Sequence, residues 1–277
     1  MSKSLLVGVL LLSIQRLAQI QLPAASPAAT VAQAVGLATV SVEYSRPALK
    51  GRTMFGDQLP YGKVWRTGAD RSTKLTVSDQ ILINGNSLPA GSYGLFTIPG
   101  PTEWVIILNK DAIGSGAFNY KPENDLIRVR VNAQKTAPTE YFTIEFTDFT
   151  PTTANLSLRW ETTEVKLPLK HDADAQIMVQ LQAALTNPNV SSAIYLEAAE
   201  YYYQTNRDLK QARAWADQVI AVDKHYWTYY TRAKIAIRQG DCLTARADAE
   251  AGLKLAQQAD DTAFVKNYQR VLVECKP

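Results

Sequence analysis

The densest group of side chains suited to ligand binding lies between Ser45 and Lys74. This stretch contains seven Lys or Arg residues against two Asp, with three aromatic residues between them. Guanidinium groups bind carboxylate, sulfate or phosphate through paired N–H donors, and aromatic faces accept sugars or cations. We therefore expect the stretch to hold a small anionic or glycan ligand. The five residues expected to bind it are Arg46, Arg52, Tyr61, Trp65 and Arg66.

The same stretch also fits a purely structural role. Its six Pro and Gly residues would shape turns, its aromatic rings would fill a core, and its arginines would satisfy carbonyl and carboxylate groups. Runs of charge more often form solvated faces than binding sites. The sequence leaves both interpretations open. The hydrogen-bond partners of the three arginines would distinguish between them.

Side chains for catalysis are scarce in the first 170 residues. The first 170 residues contain no Cys, and the two histidines of the chain, His171 and His225, both come after them. This excludes nucleophilic triads that use His, and it excludes a His-based zinc site there. We expect no metal, no cofactor and no catalytic residue of these types. A pair of carboxylates acting on carbohydrate stays open as an alternative. The candidates for that pair are Asp57, Asp70, Glu43 and Glu145.

An antiparallel β domain is predicted over residues 36–170, where apolar residues alternate singly with polar ones. The runs Val40–Tyr44 and Phe142–Phe146 are examples. Successive side chains of a strand point to opposite faces, so alternation indicates one buried and one wet face. Asn84-Gly85 favours a tight hairpin, and no helical pattern interrupts the stretch. The pattern is typical of an all-β antiparallel sandwich.

From residue 171 to residue 277 the apolar period becomes helical. Residues 212–216 (ARAWA) recur as residues 245–249 (ARADA), which is 33 positions later. A period near 34 with small residues four apart predicts all-α, tetratricopeptide-like helical hairpins. Such an array would dock a protein partner. Several aromatic residues could line its concave face, although packing between repeats is the more frequent role for them. They are Trp215, Tyr226, Trp227, Tyr229 and Tyr230.

The two cysteines lie at opposite ends of two successive predicted helices. Cys242 begins one helix, Cys275 ends the next, and a turn is expected near Asp260. Antiparallel helices of similar length would bring the two thiols side by side. We expect a Cys242–Cys275 disulfide in an oxidising compartment, and two separate buried thiols are the alternative.

The N-terminus is typical of an export signal. Lys3 precedes a short apolar run, Leu5–Leu12, whereas a membrane-spanning helix needs about 20 apolar residues. We expect a signal peptide over residues 1–20, a flexible Ala/Pro-rich linker over 21–35, and a periplasmic or secreted protein. An uncleaved N-terminus on a cytoplasmic protein is the alternative. No later segment predicts a transmembrane helix, and a net charge of +3 is too small to indicate nucleic acid as a partner.

Four segments resemble the domain of unknown function 2911 family: SVEYSRPALKGRTMFG, PYGKVWRTGADRST, PAGSYGLFTIPG and EWVIILNK. The family consists of exported bacterial proteins that often carry tetratricopeptide-like helices behind a β domain. The resemblance covers about residues 30–170 and implies that architecture and export, but no activity. Asp70 stands where the family more often has Asn, which weakens a catalytic role for that carboxylate.

The leading hypothesis is a non-enzymatic binding protein in the periplasm or outside the cell. Its β domain would hold the anionic or glycan ligand, and its helices would dock a protein partner. One alternative is a carboxylate-dependent enzyme that acts on carbohydrate. The other is a structural component of the cell envelope.

Overall fold

The computed structural model describes residues 22–111, 117 and 120–276. The predicted signal peptide, residues 1–20, lies outside the described residues. The chain divides after Ala173 into two compact units. This boundary is close to position 170, where the apolar period of the sequence changes.

The first unit is an antiparallel β-sandwich, as the alternation predicts. Its described strands are β1 (Ala28–Val35), β2 (Ala38–Ser45), β3 (Thr73–Val77), β4 (Ile81–Ile83), β5 (Asn86–Leu88), β6 (Gly91–Ile98), β7 (Glu103–Asn109), β8 (Asp125–Thr147) and β9 (Thr153–Lys170). Their order is β1-β2-β3-β6-β7-β8-β9-β4-β5, and all neighbours are antiparallel. The strands form two sheets that share the long strand β8. In the first sheet the first part of β8 pairs with β7, and in the second sheet the second part of β8 pairs with β9, which is followed by β4 and β5.

One apolar core joins the inner faces of the two sheets. Strand β2 shows the expected alternation, with Val40, Val42 and Tyr44 buried between more exposed neighbours. Trp104 and Trp160 are the largest fully buried side chains of the described residues. Burial of a large apolar side chain contributes about 1.5–3 kcal/mol, so this core is the main source of stability of the unit.

Residues 28–35 correct the prediction of a flexible linker over 21–35. They form β1, which pairs along its whole length with β2, from Ala28 opposite Ser45 to Val35 opposite Ala38. Three of the four exposed positions of β1 are alanine and one inward position is Gln33, so the alternation carries a weak apolar signal. Ala29 and Val31 nevertheless pack partly buried against the core, and the continuous ladder of backbone hydrogen bonds supplies the rest.

The second unit contains six described helices. They are α1 (Asp174–Leu185), α2 (Ser192–Gln204), α3 (Leu209–Val222), α4 (Tyr226–Arg238), α5 (Cys242–Gln258) and α6 (Thr262–Glu274). Side chains at the N-caps of four of them, Ser191, Asp208, Asp241 and Asp261, accept hydrogen bonds from first-turn N–H groups. Each such cap contributes about 1 kcal/mol, and together they fix where the helices begin. An all-α unit that follows the β unit in the chain confirms the predicted fold class. Membership of the helices in the tetratricopeptide class stays a prediction.

Small residues let the paired helices approach closely. Ala212, Ala216, Ala245 and Ala249, the alanines of the repeated sequence, are all at most 1% exposed. Gly252 on α5 has the same role at its closest approach to α6, since a Cβ there would overlap the buried Tyr268 ring.

The structure joins Cys242 and Cys275 in a disulfide. Their Cα atoms lie 5.2 Å apart, and the bond closes a segment of 33 residues that contains α5 and α6. It connects the start of one helix to the end of the next, as counting residues from the turn predicts. No helix in the described part of the chain is both long and apolar enough to cross a membrane.

Candidate functional site

The predicted ligand-binding stretch forms an arch over residues 46–72, between β2 and β3, that is fastened to the sandwich by its backbone. The Trp65 N–H donates to the Thr97 carbonyl at 2.7 Å, and the Thr97 N–H returns a bond to the Trp65 carbonyl at 2.9 Å. Nearer the start of the arch, the Leu49 N–H donates to the Glu140 carbonyl at 2.9 Å. These bonds anchor the arch to both β6 and β8.

Trp65 lies inside the core rather than on a binding surface. Its side chain is 6% exposed. It stacks on Trp160, with ring centroids 5.8 Å apart, and meets Phe142 edge-on at 4.9 Å. The indole N–H donates to the Gly68 carbonyl within the arch at 3.0 Å. This residue therefore plugs the sandwich and shapes the arch at the same time.

Arg46 and Arg66 bond mainly to the protein's own backbone. The Arg46 Nε donates to the Phe142 carbonyl at 3.3 Å, and its Nη2 donates to the Thr143 hydroxyl at 2.7 Å. The Arg66 Nη1 donates to the Asp70 carbonyl at 2.8 Å. Asp70 itself adopts a left-handed conformation at φ 57°, so Arg66 ties down a turn that is unfavourable for a non-glycine residue.

Arg52 and Tyr61 also contact the arch. The Arg52 guanidinium donates to the Leu49 carbonyl at 2.9 Å and to the Ala48 carbonyl at 2.8 Å. The Tyr61 ring, which is 44% exposed, lies so close to Gly56 that a Cβ at that position would be 2.7 Å from it. Gly56 has φ +88°, so the close approach and the turn both require glycine there. Of the five predicted ligand-binding residues, Tyr61 has the most open ring, and all three arginines support the arch.

Two of the four candidate carboxylates are bonded to basic side chains. Glu43 on β2 bonds to Lys74 at 2.7 Å, and Glu145 on β8 bonds to an arginine of β9 at 2.7 Å. Asp57 and Asp70 lie exposed on the arch. Glu43 and Glu145 therefore each have a basic partner that balances their charge.

A groove on the helical unit brings together more varied chemistry than the arch does. It has a volume of about 540 Å³ and lies across α2, α4 and α6. The lining residues are Leu196, Glu197, Glu200, Tyr201, Gln204, Trp227, Tyr230, Thr231, Lys234 and Phe264. Trp227 and Tyr230 are among the aromatic residues that the sequence pointed to. The charged members were missed, because isolated Glu and Lys on an amphipathic helix resemble ordinary solvated residues.

The floor of the groove holds a bonded polar network centred on Glu200. The Lys234 ammonium donates to both carboxylate oxygens of Glu200, at 2.7 and 3.0 Å. Thr231 donates at 3.2 Å and Gln204 at 3.1 Å. Burial acts to raise the pKa of Glu200, but the hydrogen bonds from Lys234 and Gln204 outweigh it and the pKa is lowered. Glu200 is therefore held ionised, and its charge is matched by Lys234.

Aromatic rings enclose this network. The Lys234 ammonium lies 5.0 Å from the Tyr203 ring centroid and 5.2 Å from that of Tyr230, distances at which cation–π attraction operates. Tyr230 in turn packs edge-on against Phe264 of α6 at 5.5 Å. Trp227 is 39% exposed at the same face. The groove thus offers open aromatic surface beside a charge pair that is already satisfied.

The protein thus consists of a β-sandwich with a fastened arch, followed in the chain by a helical unit with an open groove. Residues 26–169 match the family described as a protein of unknown function, DUF2911. The match spans more than half of the 277 residues, so the chain belongs to this family. Comparison with curated proteins and with solved structures finds no match.

Proposed function

We propose that this protein is an exported, non-enzymatic binding protein whose helical unit holds an extended segment of a partner protein. The observation that supports the proposal is the open groove of about 540 Å³ across α2, α4 and α6. Stacked helical hairpins use extended concave surfaces of this kind for binding. In this groove the apolar rings supply contact area, and the Glu200–Lys234 network supplies a polar floor of fixed geometry.

Export is part of the proposal. A disulfide that closes 33 residues forms and persists in an oxidising compartment. The basic, then apolar, N-terminal sequence agrees with secretion. An extracellular or periplasmic protein would meet its partner there.

In this proposal the arch of the β unit has a structural role within that unit. The Arg46, Arg52 and Arg66 guanidinium groups donate to carbonyl oxygens, the arrangement expected of a structural arch. The anionic or glycan ligand stays a second candidate, favoured by the exposed Tyr61 ring. A thermal-shift screen of anions and glycans tests it: stabilisation that Arg66→Ala abolishes would support the ligand, and no stabilisation would remove it.

The groove itself is tested by selection from a phage-displayed library of random peptides against the full chain. The variants are Trp227→Ala in the groove and, as a matched control, Leu243→Ala. Leu243 is an apolar residue of α5 that is 84% exposed and lies outside the groove lining. We expect the wild type and Leu243→Ala to enrich the same peptides and Trp227→Ala to lose them. Enrichment that is indifferent to Trp227, or no enrichment at all, would refute the groove.

A further inference from the structure

The groove contains one carboxylate that its own residues leave unmatched. Glu197 lines the groove and is exposed. Among the described residues it has neither a hydrogen bond nor an ion pair, whereas Glu200, one turn later, is paired with Lys234. The lining therefore carries one net negative charge. Arg270 and Glu274 of α6, which both lie within electrostatic range of Tyr230, have opposite charges and offset each other.

The register of the helices places this carboxylate beside the exposed indole. Glu200 on α2 accepts a hydrogen bond from Thr231 on α4 and pairs with Lys234, and further along Tyr203 accepts one from Arg238. The offset between partners stays near one repeat, so α2 and α4 run side by side in the same direction. Glu197 lies one turn before Glu200, and Trp227 lies one turn before Thr231. Glu197 and Trp227 therefore occupy neighbouring turns of the same face.

We infer that this end of the groove binds a basic side chain, Lys or Arg, of the partner segment. The inference rests on the proposed function and names the chemistry of its ligand. A carboxylate supplies the counter-charge, and tryptophan is the ring that attracts a cation best. The Trp227 indole stacks on His225 at 4.2 Å and still keeps 39% of its surface exposed. Lys234 does not occupy this role, because its ammonium is engaged by Glu200 and two tyrosine rings. An acidic segment would meet Glu197 with like charge.

The full chain, with its disulfide intact, is panned against the random peptide library as wild type, Glu197→Gln and Glu197→Lys. Glu250→Lys on α5 is the matched control, an exposed carboxylate outside the groove lining. Wild type and control should select Lys or Arg at one fixed position. Glu197→Gln should lose that preference, and Glu197→Lys should replace it with Asp or Glu. Glu197 is exposed, so unchanged unfolding midpoints verify that the variants fold.

The affinity of the protein for a selected peptide gives a quantitative test of the same inference. A labelled peptide selected on the wild type should bind Glu197→Gln about fivefold more weakly by fluorescence polarisation, the effect of losing one exposed ion pair. Added NaCl should weaken wild-type binding more than variant binding, because salt screens the pair. Peptides without a basic residue that still require Trp227 would overturn the charge inference and leave the groove intact. A basic preference unchanged in both Glu197 variants would also overturn it, and a loss of Trp227 dependence would overturn both proposals.

Discussion

Replacing Trp65 with alanine should destabilise the β unit strongly, with no ligand present. The side chain is 6% exposed, stacks on Trp160 at 5.8 Å and meets Phe142 at 4.9 Å. Its indole N–H also donates a buried hydrogen bond to the Gly68 carbonyl at 3.0 Å. Truncating a buried tryptophan to alanine costs about 3–5 kcal/mol. A surface ligand-binding tryptophan, by contrast, would change stability by about 0.5 kcal/mol or less.

Hydrogen exchange followed by mass spectrometry can read this effect in the full chain, unit by unit. Peptides from β7 and β8 should exchange more than about a hundredfold faster in Trp65→Ala, since about 3 kcal/mol is roughly two powers of ten in an opening equilibrium. Peptides from α4 and α5 report on the second unit. Trp227→Ala is the matched control, because it removes the same side chain from a site that is 39% exposed. Acceleration of less than about tenfold in β7 and β8 would refute the view of Trp65 as a structural plug.

Two further predictions concern the helical unit. Replacing Cys242 and Cys275 together with serine should lower its free energy of unfolding by about 3–4 kcal/mol, the entropic effect of opening a 33-residue loop; helical circular dichroism in urea measures this, and an unchanged midpoint would contradict it. The lowered pKa of Glu200 means that its stabilising contribution is present above the usual pKa of 4.5 and is lost as pH falls through the lower folded value. Glu200→Gln should therefore be less stable than wild type at pH 7 and should lose less stability on acidification, and an acid response equal to that of wild type would contradict this reasoning.

The alternation of the sequence predicted the sandwich because most strands carry large apolar residues on one face. Strand β1 escaped because its exposed face carries three alanines, Ala28, Ala32 and Ala34, which give a weak contrast with the inward side chains. Its pairing with β2 is decided by backbone hydrogen bonds, which every residue type supplies. The disulfide could be predicted by counting residues, because two antiparallel helices joined by one turn bring the start of the first helix beside the end of the second.

The arch and the groove show why site prediction from sequence stopped where it did. A guanidinium such as that of Arg52 has the same composition whether it faces a ligand or the Ala48 carbonyl, and only the fold decides between them. Glu197 was not named from the sequence, because an exposed carboxylate on a helix resembles an ordinary solvated charge. Its neighbour Glu200 is paired with Lys234. Trp227 and Tyr230 could be named in advance because aromatic residues are conspicuous on helices that otherwise carry alanine.

The connectivity of the second sheet has a consequence for when the β unit can finish folding. The short strand β4 obtains its partner from the far end of the domain, with Leu82 opposite Lys170 and Ile83 opposite Leu169. Contacts so distant in sequence form late, because the entropic cost of closing a long loop comes before the contacts can stabilise the chain. A nascent chain that has not yet produced β9 cannot complete this sheet. The topology thus delays the finished sandwich until the whole domain, through β9, has been synthesised.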